Sequence, residues 1–304
     1  MVSKTEVSSI QKIETQFAQY LSQERGLSPV TVADYVSICH RFLTERFSDG
    51  KLLLRSLCSN EITNFVLQTL RAASHNSAYL GGLRSFLRFL YQRGHIRKNL
   101  ASAVPTVSRW RFNQLPKFLQ PKEVERLLRS CDQSTVMGKR DYAILLLLAR
   151  LGLRAGEIMH LTLDDIRWEA GEIEVRGKSS REERLPMPHD VGEALVVYLR
   201  DSRPRCSSRR VFIRMKAPRR GFSGSNAVCD IFRRGLSRAG LNPSFKGASL
   251  LRHSLATNML RGGASLAEIG EILRHQQPNT TEIYAKVDLS ALRSIVQLWP
   301  GEVS

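Results

Sequence analysis

Leu251-Arg252-His253-Ser254-Leu255-Ala256-Thr257 sets an arginine beside a histidine in an apolar helical run, with Ser249 as the expected helix cap and Gly262-Gly263 as its end. Downstream, Ser265 and Glu268 form a capping box for a helix through Leu273, and Asn279 with Glu282 repeats the pattern just before Ile283-Tyr284. His275 therefore lies just past a helix C-terminus, where the macrodipole favours the protonated imidazole. Tyr284 lies in the first turns of a short helix. Between them stand a helix end, a turn containing Pro278 and a helix start, an arrangement able to return both side chains to one phosphate. Upstream, Leu151-Gly152-Leu153-Arg154-Ala155-Gly156-Glu157 adds a second arginine, Arg154. Each arginine forks two N–H donors onto non-bridging phosphate oxygens. The histidine adds a donor, and the tyrosine supplies a phenolate nucleophile that can hold one DNA end covalently. These residue types point to strand transfer without a metal rather than to hydrolysis.

Composition narrows the partner. Lys+Arg of 46 against Asp+Glu of 28 leaves a formal charge of +18 on 304 residues, an excess suited to a polyanion, first of all nucleic acid. A hydrophobic content of 42% is that of a globular protein, with length enough for two cores. The longest apolar stretch, Ala143 to Ala149, is too short for a membrane span, and Met1 to Phe17 has no signal-peptide core. A cytoplasmic protein with no membrane partner is expected. Cys39, Cys58, Cys131, Cys206 and Cys229 are odd in number, scattered and never spaced C-x-x-C, so structural thiols are expected, with no metal site and no cofactor.

Along the chain, the first hundred residues read as short helices. Ser28-Pro29 starts one whose apolar face is Val32, Tyr35, Val36, Cys39, Phe42 and Leu43; Leu80, Leu83, Phe86, Leu87, Leu90 and Tyr91 form another that stops near Gly94. Arg41, Arg84, Arg88, Arg93, Arg97 and Lys98 lie on the polar faces, either solvated or touching phosphate. Residues 1–105 are thus expected to be a helical DNA-binding domain, 106–117 a linker and 118–304 a catalytic domain. The linker carries Arg109-Trp110-Arg111-Phe112, in which Trp110 either docks on a helix or joins Arg109 and Arg111 in a strap across DNA. In the second domain Pro121 opens the first helix, Lys139 to Arg150 is a mostly buried helix, and Glu172–Arg176 with Glu182–Met187 forms a hairpin around Gly177-Lys178-Ser179-Ser180. Eight basic residues between Arg203 and Arg220 occur without an acidic one, a run read as DNA-facing through Arg219 and Arg220.

The joint pattern resembles the tyrosine recombinases, or phage-integrase family, most closely the Xer-type and transposon-integrase members. Gly152 to Glu157 resembles the family's first-arginine box, Gly177-Lys178 with Glu183-Arg184-Leu185-Pro186 its lysine hairpin, Leu251 to Thr257 its second-arginine box, and Ile272-Leu273-Arg274-His275 with Tyr284 its last histidine and nucleophile. The match runs from about Ile10 to Leu292. It implies a mainly helical fold, with a SAM-like N-terminal domain and a catalytic domain holding a small β-sheet. It implies Tyr284 as nucleophile, Arg154, Arg252 and His275 as phosphate ligands, Lys178 as general acid, and Glu157 as the residue that orients Arg154 or a neighbouring donor. The resemblance also implies a 3′-phosphotyrosyl intermediate, a Holliday junction, four copies on two double-stranded DNA sites, a second recombinase or accessory proteins as partners, and a C-terminal helix handed to a neighbour. Leu289, Leu292, Ile295, Val296 and Trp299 give an apolar stripe suited to that handover or to folding back on its own domain. One position departs: Ser249 stands where the family has His or Lys, and serine cannot relay a proton as imidazole does. His253 is a tempting substitute, but successive helix residues point about 100° apart, so a structural or secondary contact is expected of it. The rival readings are a non-catalytic DNA-binding protein on the same scaffold, a type IB topoisomerase-like relaxase and a polybasic membrane-surface protein.

Overall fold

The computed structural model describes residues 4–47, 52–72, 77–105, 117–177, 182–275 and 280–287. It divides into two compact units, Met1–Trp110 and Arg111–Ser304. The fold is mainly helical, with one small antiparallel sheet.

The first unit contains α1 (Lys4–Gln19), α2 (Pro29–Arg46), α3 (Ser59–Ala72) and α4 (Ser77–Gln92). Ser28 Oγ accepts from the Thr31 amide and Pro29 occupies the first helical position, the start that the sequence predicts for α2. The helices bury an aromatic centre in which Phe17 meets Phe86 edge-on at 5.1 Å and Phe42 meets Phe65 at 4.9 Å, geometries that aromatic rings prefer. Tyr91, expected on the apolar face of α4, is instead exposed, at a helix end where Gln92, Arg93 and Gly94 are exposed as well. The basic side chains divide: Arg41 pairs with Glu45, Arg93 with Glu24, and Arg84 donates to the Pro105 carbonyl at 2.7 Å. Arg88, Arg97 and Lys98 are exposed.

The second unit is built around α6 (Val136–Arg150). Thr135 caps it by accepting from the Gly138 amide at 3.0 Å, so the helix begins three residues before the start that periodicity marks. Ile144 through Leu148 are all at most 1% exposed, so this stretch of the helix has no solvent face, while Val136 and Met137 at its start are exposed. Around it pack α5 (Pro121–Arg129), α8 (His189–Asp201), α9 (Asn226–Arg238) and α10 (Ser249–Arg261). Between α7 (Ala155–His160) and α8 stands the sheet, ordered β1 (Ile166–Arg167), β2 (Glu172–Arg176), β3 (Glu182–Pro186). Pairing Ile173 with Leu185 and Arg176 with Glu182 turns Ile173 and Val175 inward and sets the charged residues of β2 outward. The expected hairpin is present; the two-residue β1 carries too little pattern to be read from sequence. A smaller apolar cluster, Ala256, Ile269, Leu273 and Tyr284, joins α10 to α11 (Leu266–Ile272) and to a 3₁₀ helix, Glu282–Val287. All five cysteines are free thiols. No described helix is long and apolar enough to cross a membrane.

Candidate active site

Arg154 is the residue just before α7. Its backbone N–H donates to Glu157 Oε2 at 2.8 Å and its Nη1 donates to Glu157 Oε1 at 2.6 Å, so the carboxylate that caps the helix also aims the guanidinium. Two residues earlier Gly152 has φ +58, and a Cβ there would stand 2.8 Å from Leu273 and 3.1 Å from Leu255. Only glycine lets the chain pass this close to α10 and α11. The approach delivers the Gly152 carbonyl to Arg252 Nη1 at 2.6 Å, while Arg252 Nη2 donates to the Leu273 carbonyl. Arg252 is thereby fixed by backbone rather than by an acidic partner. Burial first, then Arg154 and Arg274, lower its pKa to about 10.

A third arginine enters that the sequence pattern did not single out. Arg274 follows α11 with φ +56, and the His275 amide closes onto the Gly270 carbonyl at 2.8 Å. That is the left-handed helix-end position where glycine is usual, and a side chain there costs about 1 kcal/mol or more. The guanidinium, 5% exposed, donates through Nη2 to Glu157 Oε2 at 2.9 Å and holds Glu183 of β3 at 3.5 Å through Nε. Its Nη1 is buried without a hydrogen-bond partner among the described residues. Glu157 thus spans Arg154 and Arg274, and Arg274 ties the hairpin to the arginine cluster. The signal available in the sequence was a non-glycine residue directly after a capped helix.

His275 does not match its expected protonation. Burial, then Arg252, Arg154, His253 and Arg274, push its pKa down to about 4, so it is neutral. The dipole of a seven-residue helix is outweighed by desolvation and three guanidinium charges. Its Nδ1 lies 2.6 Å from Thr281 Oγ1, leaving Nε2 as the nitrogen available to a ligand. Thr281 is a second residue that the sequence pattern did not single out.

Tyr284 is 1% exposed, its ring nearly parallel to that of His275 at 6.4 Å and tilted against that of His253 at 5.8 Å. Burial raises the phenol to about 12, with Arg252 opposing. Its hydroxyl lies 2.8 Å from His253 Nδ1. Arg252 and His253 do diverge, as the helix requires, but the 3₁₀ helix brings Tyr284 to the histidine's side, so both neighbours reach the cluster.

Ser249 does not take its expected place as a cap. The residue flanking α10 is Ala248, already helical at φ −57 and ψ −24, with no side-chain cap. The entering turn uses backbone instead: the Leu250 amide donates to the Gly247 carbonyl at 2.9 Å. Ser249 is exposed and makes no side-chain hydrogen bond among the described residues. Lys178, Arg109, Trp110, Arg111, Asn279 and the stripe from Leu289 to Trp299 lie outside the described residues.

The basic run from Arg203 to Arg220 splits in two. Arg203 donates to the carbonyls of Val211, Ser208 and Arg210, Arg209 pairs with Asp164, and Arg210 donates to the His160 carbonyl. Beneath them the buried pair Arg140–Asp141 anchors the Ile213 carbonyl. Arg205, Lys216, Arg219 and Arg220 are exposed, without side-chain partners among the described residues.

Four distant segments, 152–157, 252–253, 273–275 and 281–284, therefore converge on one cluster of cations around a phenol. The family model described as "Phage integrase family" matches residues 117–290, and "Phage integrase, N-terminal SAM-like domain" matches residues 15–94. The Sinorhizobium fredii protein y4rA, whose name assigns it provisionally to the integrase/recombinases, is 47% identical over 97% of this chain and 72% of its own length. Tyrosine recombinase XerD of Listeria monocytogenes is 30% identical over 92% of this chain and 95% of its own. In fold, the chain resembles XerH site-specific recombinase bound to a palindromic difH substrate, with TM-score 0.72 and 20% identity over 96% of this chain and 88% of that one. It likewise resembles the Tn1549 transposon integrase in complex with circular intermediate DNA, with TM-score 0.70 and 17% identity over 93% and 98% of the two chains.

Proposed function

The chain belongs to the phage integrase family of tyrosine recombinases, enzymes that cleave and rejoin DNA at specific sites, and from that premise we propose how its own residues do so. Tyr284 attacks the scissile phosphate, the P–O5′ bond breaks, and a 3′-phosphotyrosyl bond stores the energy for rejoining, so no ATP is needed. Arg154 and Arg252 take the non-bridging oxygens, and the Nε2 side of His275 adds a neutral donor to the same phosphate. Lys178 protonates the leaving 5′-oxygen. Glu157 and Arg274 are positioning residues: they hold Arg154, and through Glu183 the hairpin that carries Lys178, in register with the arginines.

The observation that carries this reading is the convergence of Arg154, Arg252, His275 and Tyr284 from four separate segments onto one cluster. Tyr284→Phe keeps the ring and its packing. Incubated with a nicked duplex carrying the recombination site, recovered from DNA flanking the gene, it should bind as the parent does and form no covalent adduct. Adducts at the parental yield would remove Tyr284 from the role. Excess chelator should leave single-turnover cleavage undiminished, and strict dependence on a divalent metal would point to a different reaction class.

The substrate is double-stranded DNA, gripped by both units, with residues 106–117 linking them. Arg109, Arg111, Arg219 and Arg220 touch the DNA backbone, and four copies synapse two sites through a Holliday junction, with a second recombinase or accessory proteins setting direction. The 288–304 segment supplies the handover between copies. The setting is the cytoplasm, where the thiols stay reduced. Affinity should fall steeply with salt through counterion release. Arg219 and Arg220 are exposed and have no side-chain partner among the described residues, so neutralising them should flatten that slope by about 1 for each phosphate no longer neutralised. An unchanged slope would return them to solvent.

A further inference from the structure

Resting on the reading of Tyr284 as nucleophile, we propose that His253 is the group that takes the phenol proton as Tyr284 attacks, a task for which Ser249 is not equipped. Among the described residues, the hydrogen bond of the Tyr284 hydroxyl is to His253 Nδ1, at 2.8 Å. Of the other groups in the cluster, Arg154, Arg252 and Arg274 have no lone pair to accept with. His275 turns its Nδ1 to Thr281, and the Glu157 oxygens are taken by Arg154 and Arg274. Ser249 is exposed and bonded to nothing in the cluster. Among the described residues, His253 alone combines a basic nitrogen with a hydrogen bond to the nucleophile.

The surroundings suit the transfer. The titratable and charged groups facing the His253 ring are Arg252 on its own helix, Tyr284 from the 3₁₀ helix and His275 from the segment after α11. Burial, then Arg252, hold the imidazole below the usual histidine range, so it is neutral and its nitrogen can accept. The buried phenol stays protonated until a base takes its proton in the transition state. A phosphate arriving on Arg252 cancels the positive charge that depresses His253, and so raises its basicity at the moment the proton must move. In the step, the Tyr284 O–H proton passes to Nδ1, its oxygen forms the bond to phosphorus, the P–O5′ bond breaks, and O5′ takes a proton from Lys178. Rejoining runs the same path backward, with the imidazolium returning its proton to Tyr284.

Three variants separate the outcomes on the nicked duplex, prepared with an ordinary scissile phosphate or with a 5′-bridging phosphorothiolate whose leaving group needs no proton. His253→Leu should slow adduct formation on the order of 10²-fold on both substrates, whereas Lys178→Ala should be rescued by the phosphorothiolate. His253→Asn keeps an acceptor oxygen near the Nδ1 position and tests the proton without the packing. It should fold, bind DNA, react slowly, and lose the limb of the pH–rate profile that falls on the acid side of the histidine range. Ring-nitrogen shifts of the free protein should show the Nε2–H tautomer at His253, perturbed in Tyr284→Phe. Adduct formation by His253→Asn at the parental rate, or an Nδ1–H tautomer, would overturn the assignment while leaving Tyr284 in place. Adducts persisting in Tyr284→Phe would instead overturn the reading on which it rests.

Discussion

At the arginine end of the site, the Arg154 side chain is 44% exposed and its neighbours Arg252 and Arg274 are fixed by two carbonyls and two carboxylates. At the tyrosine end, Tyr284 is 1% exposed and held by two neutral imidazoles and an apolar cluster. The first region is a preorganised cation cluster that opens to solvent at Arg154, with Arg252 and Arg274 buried behind it; the second is a closed pocket that keeps a phenol dry and protonated. Guanidiniums desolvated and bonded before substrate arrives need little reorganisation to stabilise a phosphorane. A phenol bonded only by neutral groups can be released without breaking an ion pair. The two ends should therefore respond differently to mutation.

The largest expected effect breaks the arginine end. Arg252→Ala removes the proposed phosphate donor and leaves the Gly152 and Leu273 carbonyls without theirs, so single-turnover cleavage should fall on the order of 10³-fold and the denaturant midpoint should drop as well. A loss of rate with no loss of stability would mean those carbonyls find other donors. Next, Glu157→Gln leaves the buried Arg274 to the more distant, half-exposed Glu183 and Arg154 unaimed, which should destabilise the protein by about 3 kcal/mol without altering the environment of Tyr284, read by its fluorescence or ring shifts. Arg274→Gly should fare no better, although glycine adopts φ +56 at no cost. If it proves more stable than the parent, the Glu157 pair contributes less than the backbone strain.

The third test addresses the tyrosine end through pH. His275, at about 4 in the folded protein, and His253 are both held below the unfolded histidine value, so the unfolded chain binds more protons between the two. Their contribution to stability is complete above about pH 6.5 and declines as pH falls toward the folded values. Melting temperatures measured across that window should fall toward acid, less steeply in His275→Gln. An identical slope in the variant would place the titration elsewhere, and the depressed His95 and His160 then become the candidates. The smallest effect belongs to Ser249→Ala, expected to change stability by less than about 0.5 kcal/mol and cleavage not at all, because its hydroxyl neither caps α10 nor reaches the cluster. A clear loss of rate would bring Ser249 back into the site and weaken the case for His253.

Much of this was open to reading because local chemistry sets it. Ser28-Pro29 starts α2 and Ser265 with Glu268 starts α11 because capping involves only neighbours. The hairpin was legible because alternation with period two survives in Glu172–Arg176. Other features were not. Ala248 enters α10 with helical dihedrals, so the serine beside it has the look of a cap without the geometry of one. Arg203, Arg209 and Arg210 share a charge pattern with Arg219 and Arg220, yet the first three bind carbonyls or a carboxylate of their own unit. A run of like charges does not say which members the fold will use.

By itself the sequence determined the mainly helical class, the basic character, the family and the types of residue gathered in the cluster, since each depends on composition, on spacing or on interactions within a turn or two. Only the tertiary structure decided their states. The neutrality of His275, the pairing of His253 with Tyr284, and the use of Arg274 to join Glu157 to Glu183 all arise between segments distant in the chain. Desolvation and Coulomb interaction depend on distances in space, and those distances exist only once α10, α11 and the 3₁₀ helix have packed.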